Sequence, residues 1–115
     1  MTGDELAALL ADDAVTLVDV RSPGEFTGDA GYPCDPRQGH IPGAVNVDVG
    51  ELLDAEPGAL PALLAARGAD PARPIVVYCH SGSRSASAAS ALRAAGLDAA
   101  NYEGSWHEWS RRPAG

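Results

Sequence analysis

Ile75-Val76-Val77-Tyr78 is a short, continuously apolar run, rich in β-branched residues, and it ends on Cys79. Such a run reads as a parallel strand covered on both faces. His80-Ser81-Gly82-Ser83 follows as a polar turn of small residues, and from Arg84 to Ala95 there is no proline or glycine. Gly96 stands where a left-handed C-terminal cap belongs, so the pattern predicts a helix over 84–95. Strand, tight loop and helix in this order constrain the fold more than any other stretch of the chain.

The same order has a chemical consequence. Gly82 can take a positive φ at no steric cost, and a turn built on it can aim N–H groups inward. A sulfur held over those donors and over the positive end of the next helix is favoured as an anion. The helix end alone contributes about 0.3–1 kcal/mol at exposed sites, under one pKa unit, so several loop N–H groups must add to it. Cysteines held this way have pKa values lowered to roughly 3.5–7.5, which makes a thiolate available at neutral pH. Cys79 is therefore a candidate nucleophile. The alternative is a small hydrophobe closing a buried strand, a common place for cysteine. Core packing requires neither the polar turn nor Arg84, whereas anion binding uses both.

Strand-like and helix-like segments alternate through the rest of the chain. Thr2-Gly3-Asp4-Glu5 fits a capping box that opens a helix with Leu6, Leu9 and Leu10 behind it. Residues 15–20 read as a strand, with Asp19 and Arg21 at its end, and Ser22 to Phe26 as a turn into a short helix. Phe26 is assigned to the core. Residues 27–38 form a Gly/Pro-rich irregular loop that carries Cys34. Ala44 to Val47 reads as a strand, Val49 to Leu53 as a helical turn, and 59–67 as a helix with Pro61 in its first turn and Gly68 as its stop. A further strand is expected over 98–102, then a helix opened by Gly104. Trp106 and Trp109 face the core from that helix at i, i+3 spacing, and His107 points to solvent. The alternation predicts one α/β domain with a mainly parallel, roughly five-stranded sheet, right-handed crossovers and helices on both faces. Ligands then belong outside the carboxyl ends of the strands, where Cys79 and Arg21 fall.

Eight basic residues against sixteen acidic ones give a formal charge of -8, which argues against a nucleic-acid partner. A small anionic substrate must instead be drawn by a local positive site, and Arg84 with the loop N–H groups is the candidate. No apolar run approaches the length of a membrane span, and no signal-peptide pattern opens the chain. The cytoplasm is the expected compartment, where Cys34 and Cys79 stay reduced. For Asp19 and Arg21, an ion pair that pins the loop is favoured over direct substrate contact. For His40, in a Gly/Pro turn, hydrogen bonds that hold the turn are favoured over a general-base role. Cys34 is either an incidental loop thiol or a resolving partner of Cys79, which needs Cα atoms within about 7 Å. A zinc site built from Cys34, His40 and His80 is set aside, because there is no Cys-x-x-Cys or His-x-x-x-His element.

Taken together these stretches resemble a known family. Cys79-His80-Ser81-Gly82-Ser83-Arg84-Ser85 is similar to the active-site loop of the rhodanese (sulfurtransferase) domain of the single-domain type. Leu17-Val18-Asp19-Val20-Arg21 with Glu25-Phe26 resembles its first motif, and Gly39-His40-Ile41-Pro42-Gly43-Ala44-Val45-Asn46 its most recognisable signature. Tyr102-Glu103-Gly104-Ser105-Trp106 with Trp109 resembles its closing strand, Gly turn and aromatic helix. The resemblance spans nearly the whole chain, in order.

It implies a rhodanese-like fold with Cys79 catalytic, His80, Ser81, Gly82, Ser83, Arg84 and Ser85 binding substrate, and Asp19, Arg21 and His40 in support. The implied chemistry is attack of the Cys79 thiolate on the outer sulfur of a donor such as thiosulfate, release of sulfite, and unloading of the persulfide to cyanide or a thiol. The partners are thus a small sulfur donor and a thiophilic acceptor, a thiol or protein among them, with no metal or organic cofactor. Two features depart from the family pattern. The 27–38 segment is longer than the usual link, and Glu25 stands where tandem-domain members often carry a substrate-contacting arginine, which leaves substrate preference open. Two other readings stand beside sulfur transfer by an enzyme. One is a sulfur carrier or binding module that works with a partner protein. The other is a cysteine-dependent phosphatase or arsenate reductase, whose loops enclose five residues between Cys and Arg; Cys79 and Arg84 enclose four, a ring suited to a single sulfur atom.

Overall fold

Four segments of extended backbone carry the sheet in the computed structural model, which describes residues 1–113. They are β1 (Thr16–Asp19), β2 (Val45–Asn46), β3 (Ile75–Tyr78) and β4 (Ala99–Asn101), all parallel, in the order β2-β1-β3-β4. The count corrects the expectation of about five. The four strands fall within the four stretches read as extended, 15–20, 44–47, 75–78 and 98–102, and among the described residues no further segment pairs with the sheet.

The helices are α1 (Gly3–Ala11), α2 (Pro23–Thr27), α3 (Val49–Asp54), α4 (Leu60–Ala66), α5 (Ser83–Ala94) and α6 (Ser105–Trp109), with a 3-10 turn at Pro57–Ala59. Local chemistry explains several ends. The Thr2 hydroxyl accepts from the Glu5 N–H at 3.1 Å, and the Glu5 carboxylate accepts from the Thr2 N–H at 2.9 Å, closing the expected capping box. Ser22 and Glu25 form a second box at the start of α2. Helix α5 ends as the glycine placement predicts: Gly96 has φ 87°, its N–H meets the Arg93 carbonyl, and the Leu97 N–H reaches back to the Leu92 carbonyl.

β1 and β3 are buried on both faces, so alternate residues enter two cores. Val18, Ile75 and Val77 pack with Leu52, Leu60, Leu64, Ala88 and Leu92 from α3, α4 and α5. Leu17, Val76 and Tyr78 pack with Leu6 of α1, with Tyr102 and with Trp106 of α6. Trp106 is buried, whereas Trp109 and Phe26, both expected in the core, lie half-buried at its edge. Each edge ring has a polar partner that keeps it there: the Arg112 guanidinium lies over Trp109, and His40 stacks on Phe26.

From β1 the chain passes to β2 on one side and then crosses to β3 on the other. The loops leaving β1 and β3 therefore diverge, and the crevice between them is the switch point where ligands bind in open parallel sheets. Arg21 and Cys79 both stand there. No helix among the described residues is long and apolar enough to cross a membrane.

Candidate active site

Cys79 follows the last residue of β3 and is buried, with 1% of its surface exposed. Its sulfur is the focus of the loop that follows. Gly82, at φ 100°, turns the chain so that its N–H points at Sγ from 3.1 Å. The Ser85 hydroxyl lies 3.3 Å from Sγ and 3.2 Å from the Gly82 carbonyl, and its one proton goes to the sulfur when the sulfur is charged, since bonds to ions are the stronger. Burial opposes ionisation of the thiol. The hydroxyl and N–H of Ser85 and the N–H groups of Gly82 and Ser81 outweigh it, so the Cys79 pKa lies below that of an ordinary thiol. The N-cap of α5 is Gly82 and makes no side-chain cap, which leaves the first N–H groups of the helix for the sulfur.

Residues from β4 and α6 hold this loop in place. The Ser105 hydroxyl accepts from the Cys79 N–H at 3.1 Å and donates to the Tyr102 carbonyl at 2.8 Å, with Ser105 itself at φ 55°. The Asn101 amide donates to the Gly82 carbonyl, and the Trp106 and His107 N–H groups donate to the Cys79 and His80 carbonyls. A Cβ on Gly82 would sit 2.6 Å from the Glu103 carbonyl oxygen, so the close approach of the two segments requires glycine. The sequence carries no sign of the Ser105 and Asn101 contacts, because a positive φ at serine and a side-chain bond across 19 residues leave no local pattern.

Of the predicted loop residues, Arg84 differs most from expectation. Its two terminal nitrogens are held by the Glu25 carboxylate at 2.8 and 3.0 Å, so the cation expected to meet the donor's oxyanion is already engaged. Hydrogen bonding to Arg84, against opposing burial, lowers the Glu25 pKa to about 2, and the same bond raises that of Arg84. His80 bonds through Nε2 to Asp35 at 2.9 Å and stacks under Tyr32, with ring centroids 3.9 Å apart. Ser83 begins α5.

Asp19 and Arg21 form a fully buried pair. Arg21 donates to both Asp19 oxygens through Nε at 3.0 Å and through Nη2 at 2.7 Å, and reaches the Gly39 carbonyl at 2.6 Å. Burial acts to lower the Arg21 pKa, and the bond and charge of Asp19 raise it further than that. The Tyr78 hydroxyl accepts from the Ile41 N–H, so the turn at 39–44 is tied to both the pair and β3. His40 places Nδ1 2.8 Å from the Phe26 carbonyl and its ring against Phe26.

The 27–38 loop meets the Cys79 loop through Asp35, a buried carboxylate that no local pattern singles out. Asp35 bonds His80 and Arg111 and has His107 3.7 Å away, so His107, though half-exposed, joins this cluster. Donor atoms of Cys34, Asp35 and His80 lie within 4.8 Å of one another, a proximity that motif spacing could not reveal. Asp35 is at the same time hydrogen-bonded to His80 and Arg111. Cys34 and Cys79 are both free thiols. A cavity of about 390 Å³ lies elsewhere, against Arg37, His40, Trp106 and Trp109, and no residue of the Cys79 loop lines it.

Ser85→Ala removes one donor from the sulfur and leaves the loop N–H groups. Alkylation of Cys79 by iodoacetamide, followed against pH, should have its midpoint below the ~8.5 of a free thiol in the native protein and about one unit higher in the variant. The sign follows from destabilising the thiolate alone. An unchanged midpoint would mean that the hydroxyl serves the Gly82 carbonyl only.

A cysteine carried by a central strand of a parallel sheet into a loop whose N–H groups and a helix start face its sulfur defines an α/β domain with a cysteine at its switch point. Within that class, the chain belongs to the rhodanese-like domain family, whose model matches residues 2–112. It is 45% identical over 104 residues to a putative thiosulfate sulfurtransferase, SseB, of Mycobacterium tuberculosis, a match that covers 86% of this chain and 36% of the relative. It is 40% identical over 120 residues to a thiosulfate sulfurtransferase of Corynebacterium glutamicum, covering 90% of this chain and 38% of the relative. The chain thus spans little more than a third of the curated relatives it matches. The solved human single-domain sulfurtransferase TSTD1 is 34% identical with a TM-score of 0.71, and the match covers 99% of this chain and 96% of that one.

Proposed function

We propose that this chain is a sulfurtransferase that carries sulfane sulfur as a persulfide on Cys79. The observation that supports it most is the sulfur itself, buried at the switch point under the Gly82 N–H and the Ser85 hydroxyl. That cradle favours a small anion centred on one sulfur atom. The Cys79 thiolate attacks the outer sulfur of a donor such as thiosulfate; the new S–S bond forms as the donor's S–S bond breaks, and sulfite leaves with the electron pair. The persulfide anion left behind is held by the same donors, with Ser81 and Ser83 completing the turn and His80 fixed beside it by Asp35. A thiol, a protein thiol or cyanide then attacks the outer sulfur and returns Cys79 to the thiolate. Asp19, Arg21 and His40 act at a distance, holding the loops that frame the crevice. A reducing compartment such as the cytoplasm suits two free thiols. Phosphoryl or arsenate chemistry is disfavoured by the four-residue Cys79–Arg84 spacing and by the engagement of Arg84 with Glu25.

Anaerobic incubation with thiosulfate followed by intact mass and peptide mapping tests the proposal. One sulfur atom should be gained, on the Cys79 peptide and not the Cys34 peptide, and cyanide should remove it as thiocyanate. No gain with thiosulfate, mercaptopyruvate or an organic persulfide would overturn the reading.

A further inference from the structure

Glu25 is placed with unusual firmness for a residue near an active-site mouth. One carboxylate oxygen accepts from the Ser22 N–H at 3.3 Å, from the Ser22 hydroxyl at 3.1 Å and from Arg84 at 2.8 Å, while the other takes the second arm of Arg84 at 3.0 Å. The Glu25 side chain is 13% exposed and that of Arg84 32%, so the pair is partly screened by solvent on the Arg84 side. The other arginines around the loop are also matched: Arg21 with Asp19, and Arg111 with Asp35, which His80 bonds as well. Beside the Cys79 loop, Arg21, Arg84 and Arg111 are thus each paired with a carboxylate, the Tyr32 ring stacks on His80, and Arg37 is turned onto the backbone carbonyls of Trp109, Ser110 and Arg112.

We propose that Glu25 is a specificity-determining residue: by engaging Arg84 it leaves the mouth of the Cys79 loop neutral, and the site takes organic persulfides, R–S–SH, in preference to the thiosulfate dianion. The inference rests on the sulfurtransferase reading and deepens it. Coulomb attraction scales with charge, so withdrawing a guanidinium disfavours a dianion twice as much as a monoanion and leaves a neutral donor untouched. The chain's net charge of -8 adds to the discrimination, and an aromatic rim suits an organic group. The step balances: the Cys79 thiolate bonds to the terminal sulfur of R–S–SH, the R–S–S bond breaks, and its electron pair leaves on R–S⁻, giving Cys79–S–SH with no external oxidant or reductant.

Glu25→Gln is the discriminating variant, because glutamine at this position preserves the capping box with Ser22 while discharging the carboxylate. The rate of Cys79 persulfide formation is measured with thiosulfate and with the persulfide of 2-mercaptoethanol. The native protein should prefer the organic donor. Glu25→Gln should raise kcat/KM for thiosulfate about tenfold, the scale of releasing one charge near the reacting atom, and that for the organic donor by about threefold at most, the half-sized effect expected of its monoanion. The gain should vanish in Glu25→Gln/Arg84→Ala and fall with added salt, and Glu51→Gln, a similar charge change at an exposed ion pair on α3, should produce none. A native preference for thiosulfate, an unchanged or lower thiosulfate rate in Glu25→Gln, or a gain that survives in the double variant would each overturn the proposal. Loading of Cys79 by neither donor in the native protein would overturn the sulfurtransferase reading with it.

Discussion

Cys79→Ser is expected to reduce thiocyanate formation from thiosulfate and cyanide to background, a fall of at least about 10³-fold, the scale on which loss of a nucleophile is measured. The hydroxyl is not ionised at neutral pH, and the loop donors that favour a thiolate cannot supply the many pKa units an alkoxide needs. The fold should survive. Serine is smaller than cysteine and still offers an acceptor to the Gly82 N–H and the Ser85 hydroxyl, so those buried donors keep a partner and the loss of stability stays near 1 kcal/mol. Thermal unfolding and sulfur loading are therefore read on the same sample. Cys34→Ser should load and unload like the native chain. Activity retained without Cys79 would move the chemistry to Cys34 or abolish the persulfide mechanism.

Arg21→Ala should cost about 3–5 kcal/mol, the range for breaking a buried ion pair by removing one partner. Asp19 is wholly buried, and three of the side-chain bonds that solvate its carboxylate come from Arg21, so the variant leaves a charge with no water and too few donors. The Gly39 carbonyl loses its partner too, and the rings of Tyr78 and Trp106 lose the guanidinium that lies 5.7 and 5.2 Å from their centroids. Against a typical domain stability of about 5–15 kcal/mol, the melting temperature should fall on the order of 10–20 °C. Arg21→Lys should rescue little, since one ammonium cannot reproduce the fork that meets Asp19 and Gly39 together. Replacing both Asp19 and Arg21 by apolar residues should be less damaging than Arg21→Ala alone, because no unpaired charge remains. A double variant at least as unstable as the single one would show that the pair acts through shape and packing.

Much of the site was legible because its decisive contacts are short in sequence. The strand before Cys79, the glycine of its loop and the helix after it sit within twenty residues, and the donors to the sulfur are three and six positions from it. The resemblance to the rhodanese-like family rested on the same local motifs. The four stretches read as strands are the four in the sheet, and only the rounded count of about five was one too many. Arg84 is legible as a cation at the site, whereas its pairing with Glu25, 59 residues away, is not.

What the chain determined by itself is what backbone preference and near neighbours control: the capping box at Thr2, the left-handed Gly82 and Gly96, the two-sided burial of β1 and β3, and a thiol poised over a helix start. What only the tertiary structure decided is which charges meet. Glu25 and Arg84 are 59 residues apart, His80 and Asp35 45, and Asp35 and Arg111 76. Ion pairs of that span depend on how α2, α5, α6 and the 27–38 loop pack around the switch point, and Ser105 holds its positive φ because the Cys79 N–H and the Tyr102 carbonyl fix its hydroxyl from both sides. Turns and caps form over a few residues and so leave a trace in local sequence; electrostatic pairing acts through space, and its partners are set by the packing that brings them within 3 Å.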